Sequence, residues 1–390
     1  MIEILVVSML FLSFYAYVGY GILLFFLVKI RGGEKEMYPG GYFPSVSLVI
    51  PCYNEGEMLR DKLRNTLALL YPKERLEIIC ICDGSDDGSQ YIPLEFEGVI
   101  TMHSPERKGK LAAMKRAVAR ASGEILVFCD ANTVLNPEAV SKLVLPYRNS
   151  KVGAVSGEKS IISEKTSDAS TGGEGMYWKY ESFLKKYDSY FYTLVGAAGE
   201  LMSCRKELFL ELPDNTILDD FMLSMKIAEG GYRVKYVPEA SASEYASANI
   251  KEETKRKIRI AAGGWQSMFR LRKAINPFHD PLLAFQYISH RVLRWAIIPF
   301  VLVALFGLNH FLAIYRASLI WTVLLGMQYA FYLFALIGNM LQDKRAPFKG
   351  FFLPYYFCVM NYCAIMGFFR WVRDEQPATW ERAVRADETD

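Results

Sequence analysis

The chain has 390 residues, 52% apolar, 14% aromatic and 22% charged, and 45 basic residues against 42 acidic ones leave a net charge of +3. This composition excludes a disordered tail, a collagen-like fibre and a protein that coats nucleic acid. A mean hydropathy of +0.11, with whole windows free of charge, puts part of the chain in lipid.

Ile4–Val28 is a run of 25 residues without a charge, enough to span a hydrocarbon core of ~30 Å. It reads as a spanning helix rather than a cleaved leader: no basic segment precedes it, the run is long, and no small-residue cleavage site follows. Lys29, Arg31 and Lys35 come next, so the positive-inside rule places residue 31 onward in the cytoplasm. The expected division is an N-terminal spanning helix over 1–30, a cytosolic domain over 31–276, a membrane region over 277–371 and a polar tail over 372–390.

Within 31–276 strand and helix patterns alternate. Val46–Ile50 is an apolar strand, and Met58–Leu70 puts Leu59, Leu63, Leu67 and Leu70 on one helical face. Glu77–Cys82 and Gly98–Met102 read as strands, Lys110–Ala121 as a helix, Glu124–Cys129 as a strand, and Pro137 as a helix start. This order predicts an α/β fold with a parallel sheet and a ligand crevice at the carboxyl ends of its strands. The seven cysteines form no CxxC pair, and Cys80 and Cys82 read as buried, reduced strand residues.

Polar residues collect at those strand ends: Pro51-Cys52-Tyr53-Asn54-Glu55, then Asp83-Gly84-Ser85-Asp86-Asp87-Gly88-Ser89, then Asp130-Ala131-Asn132. Turn chemistry accounts for Asp86 and Asp87. Asp83 and Asp130 stand where ligands bind in this architecture. Further on, Ala296–Ile314, Ala317–Leu341 and Gly350–Phe369 are charge-free runs of 19, 25 and 20 residues, each a candidate span. The loop Gln342–Gly350, with Lys344, Arg345 and Lys349, should be cytoplasmic. Four full crossings would leave the tail outside, yet Arg370 and Arg373 sit at its membrane edge; either Gly350–Phe369 is re-entrant or the tail is external.

Seven ordered segments carry a resemblance: SLVIPCYNE, ICDGSDDGS, RKGKLAAMKRAV, GEILVFCDANT, GAAGELMSCR, LDDFMLSMKIAEGGYRVKYVPEA and RKIRIAAGGWQ. The chain resembles the family 2 glycosyltransferases, in the membrane-embedded branch of cellulose, chitin, hyaluronan and poly-N-acetylglucosamine synthases. The resemblance implies a GT-A nucleotide-sugar-binding domain (Rossmann-like) joined to transmembrane helices. It implies that Glu55 and Asp83 hold the nucleobase and ribose, and that Lys110 lies near the nucleotide. Asp130 matches the first acid of the metal-binding DxD element. Asn132 replaces its second acid, and its amide oxygen can still ligate Mg²⁺ or Mn²⁺ with less charge.

Asp219-Asp220 matches the element whose final acid is the catalytic base, which assigns that role to Asp220; a helix N-terminus decorated with acids is the plainer reading. Arg256 and Arg259 stand where processive relatives carry Gln-x-x-Arg-Trp and could clamp a leaving diphosphate, or form a basic interfacial helix. The stretch Ser267–Arg291 reads as the latter. Ile260 holds the place of the family's acceptor-stacking Trp, and Trp265 is the candidate replacement. Gly196–Glu200 matches the loop under the acceptor sugar, with Gly199 and Glu200 as contacts, although Glu200 and Arg205 could equally pair with each other. Tyr177-Trp178-Lys179-Tyr180 could stack on sugars or pack on membrane helices. Trp380 and Arg382 resemble a C-terminal element of the family.

The reading is a plasma-membrane, multi-pass, inverting, metal-dependent transferase with a cytoplasmic catalytic domain and no nucleic-acid partner. Its donor is a nucleotide-diphospho-sugar, expected to be UDP-linked, and its acceptor a growing β-linked polysaccharide. Transfer of one sugar to a lipid-linked acceptor is the alternative. A transporter with a nucleotide-sugar-sensing domain is a distant third, since the spans hold no ionisable residue except His310.

Overall fold

The structure, a computed structural model, describes residues 1–33, 41–162, 169–245, 250–316, 318–341 and 349–377. Lys35, most of the loop Gln342–Gly350 and the tail carrying Trp380 and Arg382 lie outside them.

Strands β1 (Val46–Cys52), β2 (Leu76–Asp83), β3 (Val99–Ser104) and β4 (Ile125–Cys129) pair in parallel in the order β3-β2-β1-β4. Alternate residues serve opposite cores: Leu48 and Ile50 join Leu59, Leu63 and Ile78, whereas Val49 joins Ile79, Ile81 and Ala117. Both faces are therefore covered, which is why these strands read as continuous apolar runs. All seven cysteines are free.

The expectation of a parallel sheet holds for this half only. Strands β5 (Val134–Leu135), β6 (Val152–Ile162), β7 (Leu201–Arg205) and β8 (Arg233–Tyr245) extend the sheet to eight strands. There β7 inserts antiparallel between β4 and β6, β8 runs parallel to β6, and β5 caps the edge antiparallel to β8. The change follows from the connections, since the regular strand–helix alternation ends at β4 and crossover geometry no longer imposes one direction.

Among the described residues four helices are long and apolar enough to cross a membrane: Ile2–Ile30, Pro281–Arg316, Leu319–Met340 and Gly350–Val372. The second begins earlier than its charge-free core suggests, because it takes in a π-helical stretch, Ile288–Ile297, with His290, Arg291 and Arg294 buried. Those side chains correct the interfacial reading of the segment around Arg291: they face protein rather than lipid headgroups.

Helix Ile250–Arg270 is amphipathic, and the last apolar helix packs along it. Gly367 allows the contact, since a Cβ there would lie 2.4 Å from that of Ala261. Arg370, in the last turn of this helix, and Glu375, Gln376 and Pro377 after it line the same cavity as Asp220.

Candidate active site

A cavity of about 1300 Å³ opens at the carboxyl ends of β1 and β4 and runs between the domain and the membrane helices. Glu55, Lys110, Asp130, Asn132, Gly199, Glu200, Asp219, Asp220, Arg256 and Arg259 all line it. Ten of the twelve singled-out residues thus meet in one space; Asp83 and Trp265 do not.

The end of the cavity nearest β1 and β2 is built by the two strand-end loops. Asn54 takes a left-handed φ of 52° and bonds through Nδ2 to Asp86 at 2.8 Å. Ser89 Oγ accepts from the backbone N–H groups of Glu55 and Gly56 at 3.0 and 2.8 Å. Asp87 Oδ2 accepts from Gly56 N–H at 3.2 Å, so Asp86 and Asp87 do the turn work read for them. Asp83 is buried and already engaged: Oδ2 accepts from the backbone of Lys108 and Gly109 at 2.9 and 2.6 Å, and Oδ1 from Arg116 at 2.5 Å. It fastens the Arg107–Lys110 loop and lines a small adjoining recess beside Glu55 and Asp130. Over that recess the Arg107 guanidinium lies 3.7 Å from the Tyr53 ring centroid.

At the end of β4, Asp130 Oδ1 accepts from Lys110 Nζ at 2.6 Å. Burial alone would lower the Lys110 pKa, but Asp130, Asp219 and Asp220 together hold it above its usual value. Asp219 and Asp220 open helix Asp219–Glu229, where the partial positive charge of the first turn favours acids. The cap and the site reading are therefore compatible.

Asp220 is pushed up to about 7, first by burial and then by the negative charge of Asp219, with Lys110 opposing. One oxygen accepts from Phe221 N–H at 2.8 Å. A Cβ at Gly199 would lie 2.8 Å from the other, so only glycine leaves that carboxylate its place. Gly196, at φ 97°, is likewise held against the Phe221 ring.

The two arginines differ. Arg256 shares its guanidinium between Glu253 at 3.2 Å and Glu244 at 3.5 Å. Burial lowers the Arg259 pKa, opposed by the charges of Asp219 and Asp220. Glu200 does not pair with Arg205, whose guanidinium is taken by the carbonyls of Tyr147, Asn149 and Val152. Instead Glu200 meets Lys159 at 2.6 Å, and Lys159 also pairs with Glu244. Burial works to raise the Glu200 pKa, and Lys159 overrides it to hold the carboxyl well below its usual range.

Sequence reading missed Lys159 and Glu244; the only local signal was charge at inward positions of β6 and β8. It also missed Gln266 and Arg270. Gln266 donates to Asn215 O at 2.8 Å and accepts from Ile217 N–H at 3.1 Å, while Arg270 reaches Thr216 and Asn215 at 2.9 and 2.7 Å. Together they pin the loop that delivers Asp219. Trp265 faces the other way, packed on Phe368 at 4.8 Å and stacked on Trp371 at 5.9 Å between ring centroids. The acceptor-platform role read for it finds no support here. Aromatic rings that do line the cavity include Trp178, Tyr180 and Trp295.

The oxygen donors suit a hard divalent cation, but they are few. Asp130 and Asn132 both line the cavity, and among the described residues Asp219 Oδ2 is buried without a hydrogen-bond partner. Among the described residues no group of three or more His, Cys, Asp or Glu side chains is poised to hold a metal by itself. A bound diphosphate would have to complete the shell.

Residues 47–212 match the glycosyl transferase family 2 profile. Poly-beta-1,6-N-acetyl-D-glucosamine synthase of Staphylococcus aureus is 28% identical over 276 residues, covering 67% of this chain and 64% of that protein. A probable glycosyltransferase of Bacillus subtilis, YdaM, is 27% identical over 257 residues, 60% of this chain and 57% of its own. The similarity thus spans under two thirds of the length of either relative. A mannosyltransferase from Pyrobaculum calidifontis, solved with GDP-Man and Mn2+, superposes with a TM-score of 0.70 at 21% identity, over 96% of this chain and 100% of its own. The fold is GT-A with added membrane helices.

The geometry makes a pH prediction. If Asp220 accepts a proton, kcat/KM should rise with pH through an inflection near 7. Asp219→Asn removes the neighbouring negative charge and should move that inflection down. Asp220→Asn should cost about 10²–10⁴-fold in turnover and leave nucleotide affinity nearly unchanged. A profile flat from pH 5 to 9 (roughly the window of a carboxylate so placed) would put the base elsewhere.

Proposed function

We propose that the chain, whose residues 47–212 match the glycosyl transferase family 2 model, is a member of that family and transfers a sugar, with inversion, from a nucleotide-diphospho-sugar to a growing β-linked polysaccharide at the membrane. The observation that carries this reading is the half-buried acid pair Asp219–Asp220, in one cavity with Lys110 and Arg259 that continues to the membrane helices. Donor chemistry is read from the relatives: one is named for a polymer of N-acetylglucosamine, and a structural neighbour holds GDP-Man. A UDP-sugar is the proposed donor here.

In this proposal Glu55 and the Arg107–Lys110 loop, held by Asp83, bind the nucleoside end. The acceptor hydroxyl attacks in line, Asp220 takes its proton, and Arg259 faces the departing diphosphate with Arg256 behind it. Gly199 and Glu200 lie under the acceptor. Asp130 and Asn132 would hold Mg²⁺ or Mn²⁺, which would neutralise charge on the diphosphate. Single-sugar transfer to a lipid-linked acceptor is the second reading, favoured by the turn of Trp265 away from the cavity.

Incubation with each common UDP-sugar, followed by diphosphate release and product sizing, tests the function. One donor should give UDP together with a polymer. Release of a single-sugar glycolipid would select the second reading, and no release with any donor would refute both. Asp130→Ala should abolish the Mn²⁺ dependence of UDP binding. An unchanged dependence would move the metal elsewhere.

The same reading assigns a topology: the first three apolar helices cross, while the last lies at the interface beside Ile250–Arg270. The catalytic domain and the residues after 372 then share the cytoplasmic face. A thiol introduced by Gln376→Cys should react with an impermeant maleimide only once cells are opened. Labelling of intact cells would make the last helix a true crossing.

A further inference from the structure

Helix Gly56–Leu67 turns Leu59, Leu63 and Thr66 inward. Lys62 stands on that same buried face and is only 2% exposed, a place where a lysine is rarely found unless an acid pairs with it. Among the described residues no carboxylate does so. Its ammonium serves one loop instead. Nζ donates to the carbonyl of Thr133 at 2.8 Å and to its hydroxyl at 3.2 Å, and it also bonds to the sulfur of Cys129.

Cys129 and Thr133 bracket Asp130-Ala131-Asn132. Thr133 closes that loop on itself: its hydroxyl donates to the carbonyl of Asp130 at 2.8 Å, and its N–H to the same oxygen at 3.3 Å. Just beyond, Asn65 of the same helix donates to the carbonyl of Leu135 at 2.9 Å and accepts from its N–H at 2.8 Å. Lys62 lines neither the cavity nor the recess beside it, so it holds the loop from behind. The long stem crosses an apolar layer and delivers three N–H donors at its tip, which a shorter side chain cannot do. Burying that charge is unfavourable in itself, and the loop is what it serves.

We propose that Lys62 is a positioning residue for the cation site: it holds the loop that presents Asp130 and Asn132 and thereby sets how tightly the nucleotide-bound enzyme takes a divalent ion. The inference rests on the reading of those two residues as the ion's protein ligands. With Asn132 in place of an acid, Asp130 is the only charged ligand that the loop offers, so affinity depends on where that one carboxylate stands. Groups that orient a ligand without touching the ion typically change its affinity by about 10–100-fold. Lys62 can also be replaced cleanly. Since no acid pairs with it, Lys62→Met leaves no buried charge uncompensated and keeps an apolar stem of similar length in the core.

The test uses the full chain in a neutral maltoside detergent with saturating UDP. Mn²⁺ is titrated in, its binding is read from the loss of the EPR signal of the aqueous ion, and UDP affinity without any divalent ion is measured in parallel. Lys62→Met should bind Mn²⁺ about 10–100-fold more weakly than wild type, while its metal-free UDP affinity stays within about threefold. Thr133→Val, which loses the hydroxyl and keeps the carbonyl, should shift in the same direction, and Thr133→Ser should restore wild-type binding. A merely structural role for Lys62 would lower metal-free UDP affinity as well, and that result would overturn the proposal. Lys62→Met binding Mn²⁺ like wild type, while Asp130→Ala loses it, would also overturn it and leave the cation reading standing. A wild type that binds no Mn²⁺ with UDP, or an Asp130→Ala variant that binds it normally, would refute the cation reading and this inference together.

Discussion

Two adjacent, half-buried carboxylates in the first turn of a helix repel each other, and much of this site is arranged around that repulsion. Asp219 and Asp220 lie in a space shared with Lys110 and Arg259, so part of their charge is countered. Loss of hydration in the cavity, and after it the uncountered charge of Asp219, raise Asp220 to about 7, a value at which a carboxylate is a serviceable base near neutral pH. Gly199 yields the room, and Gln266 and Arg270 fix the approach of the chain. Loss of any of these supports would let the acids separate or hydrate, and the raised pKa would relax.

A second ion system holds the side of the cavity proposed for the acceptor. Lys159 joins Glu200, in the loop before β7, to Glu244 on β8, and Arg256 continues the chain to Glu253. Removing one partner from such a chain leaves an uncompensated charge, and that penalty is larger than the net worth of the pair itself. The geometry of Gly199–Glu200 is thereby locked to the central sheet rather than to its own loop.

What could be read before the fold was known follows from range. Residues at strand ends were legible because strand and ligand crevice are linked by local pattern: Glu55, Asp130 and the acid pair are each a few residues beyond an apolar run or at a helix start. Trp265 was misread for a geometric reason. It stands five residues after Ile260, and five steps at 3.6 residues per turn rotate a side chain by about 140°. Ile260 faces the cavity and Trp265 is carried to the far side of the helix. Glu181 meets Arg291, and Lys159 meets Glu244, across long stretches of chain, and no local spacing reveals such pairs. Arg291, at the end of the stretch read as interfacial, is therefore held by a partner that its own neighbourhood in the sequence does not reveal.

The central claim is a single displacement driven by Asp220, and the configuration of the product tests it most directly. Donor sugars linked α to the diphosphate should give a β-linked product, as read from the anomeric proton coupling in the NMR spectrum of the first sugar transferred. An α-linked product from an α-linked donor would mean net retention. That result would contradict the account, because one in-line attack assisted by one base cannot produce it.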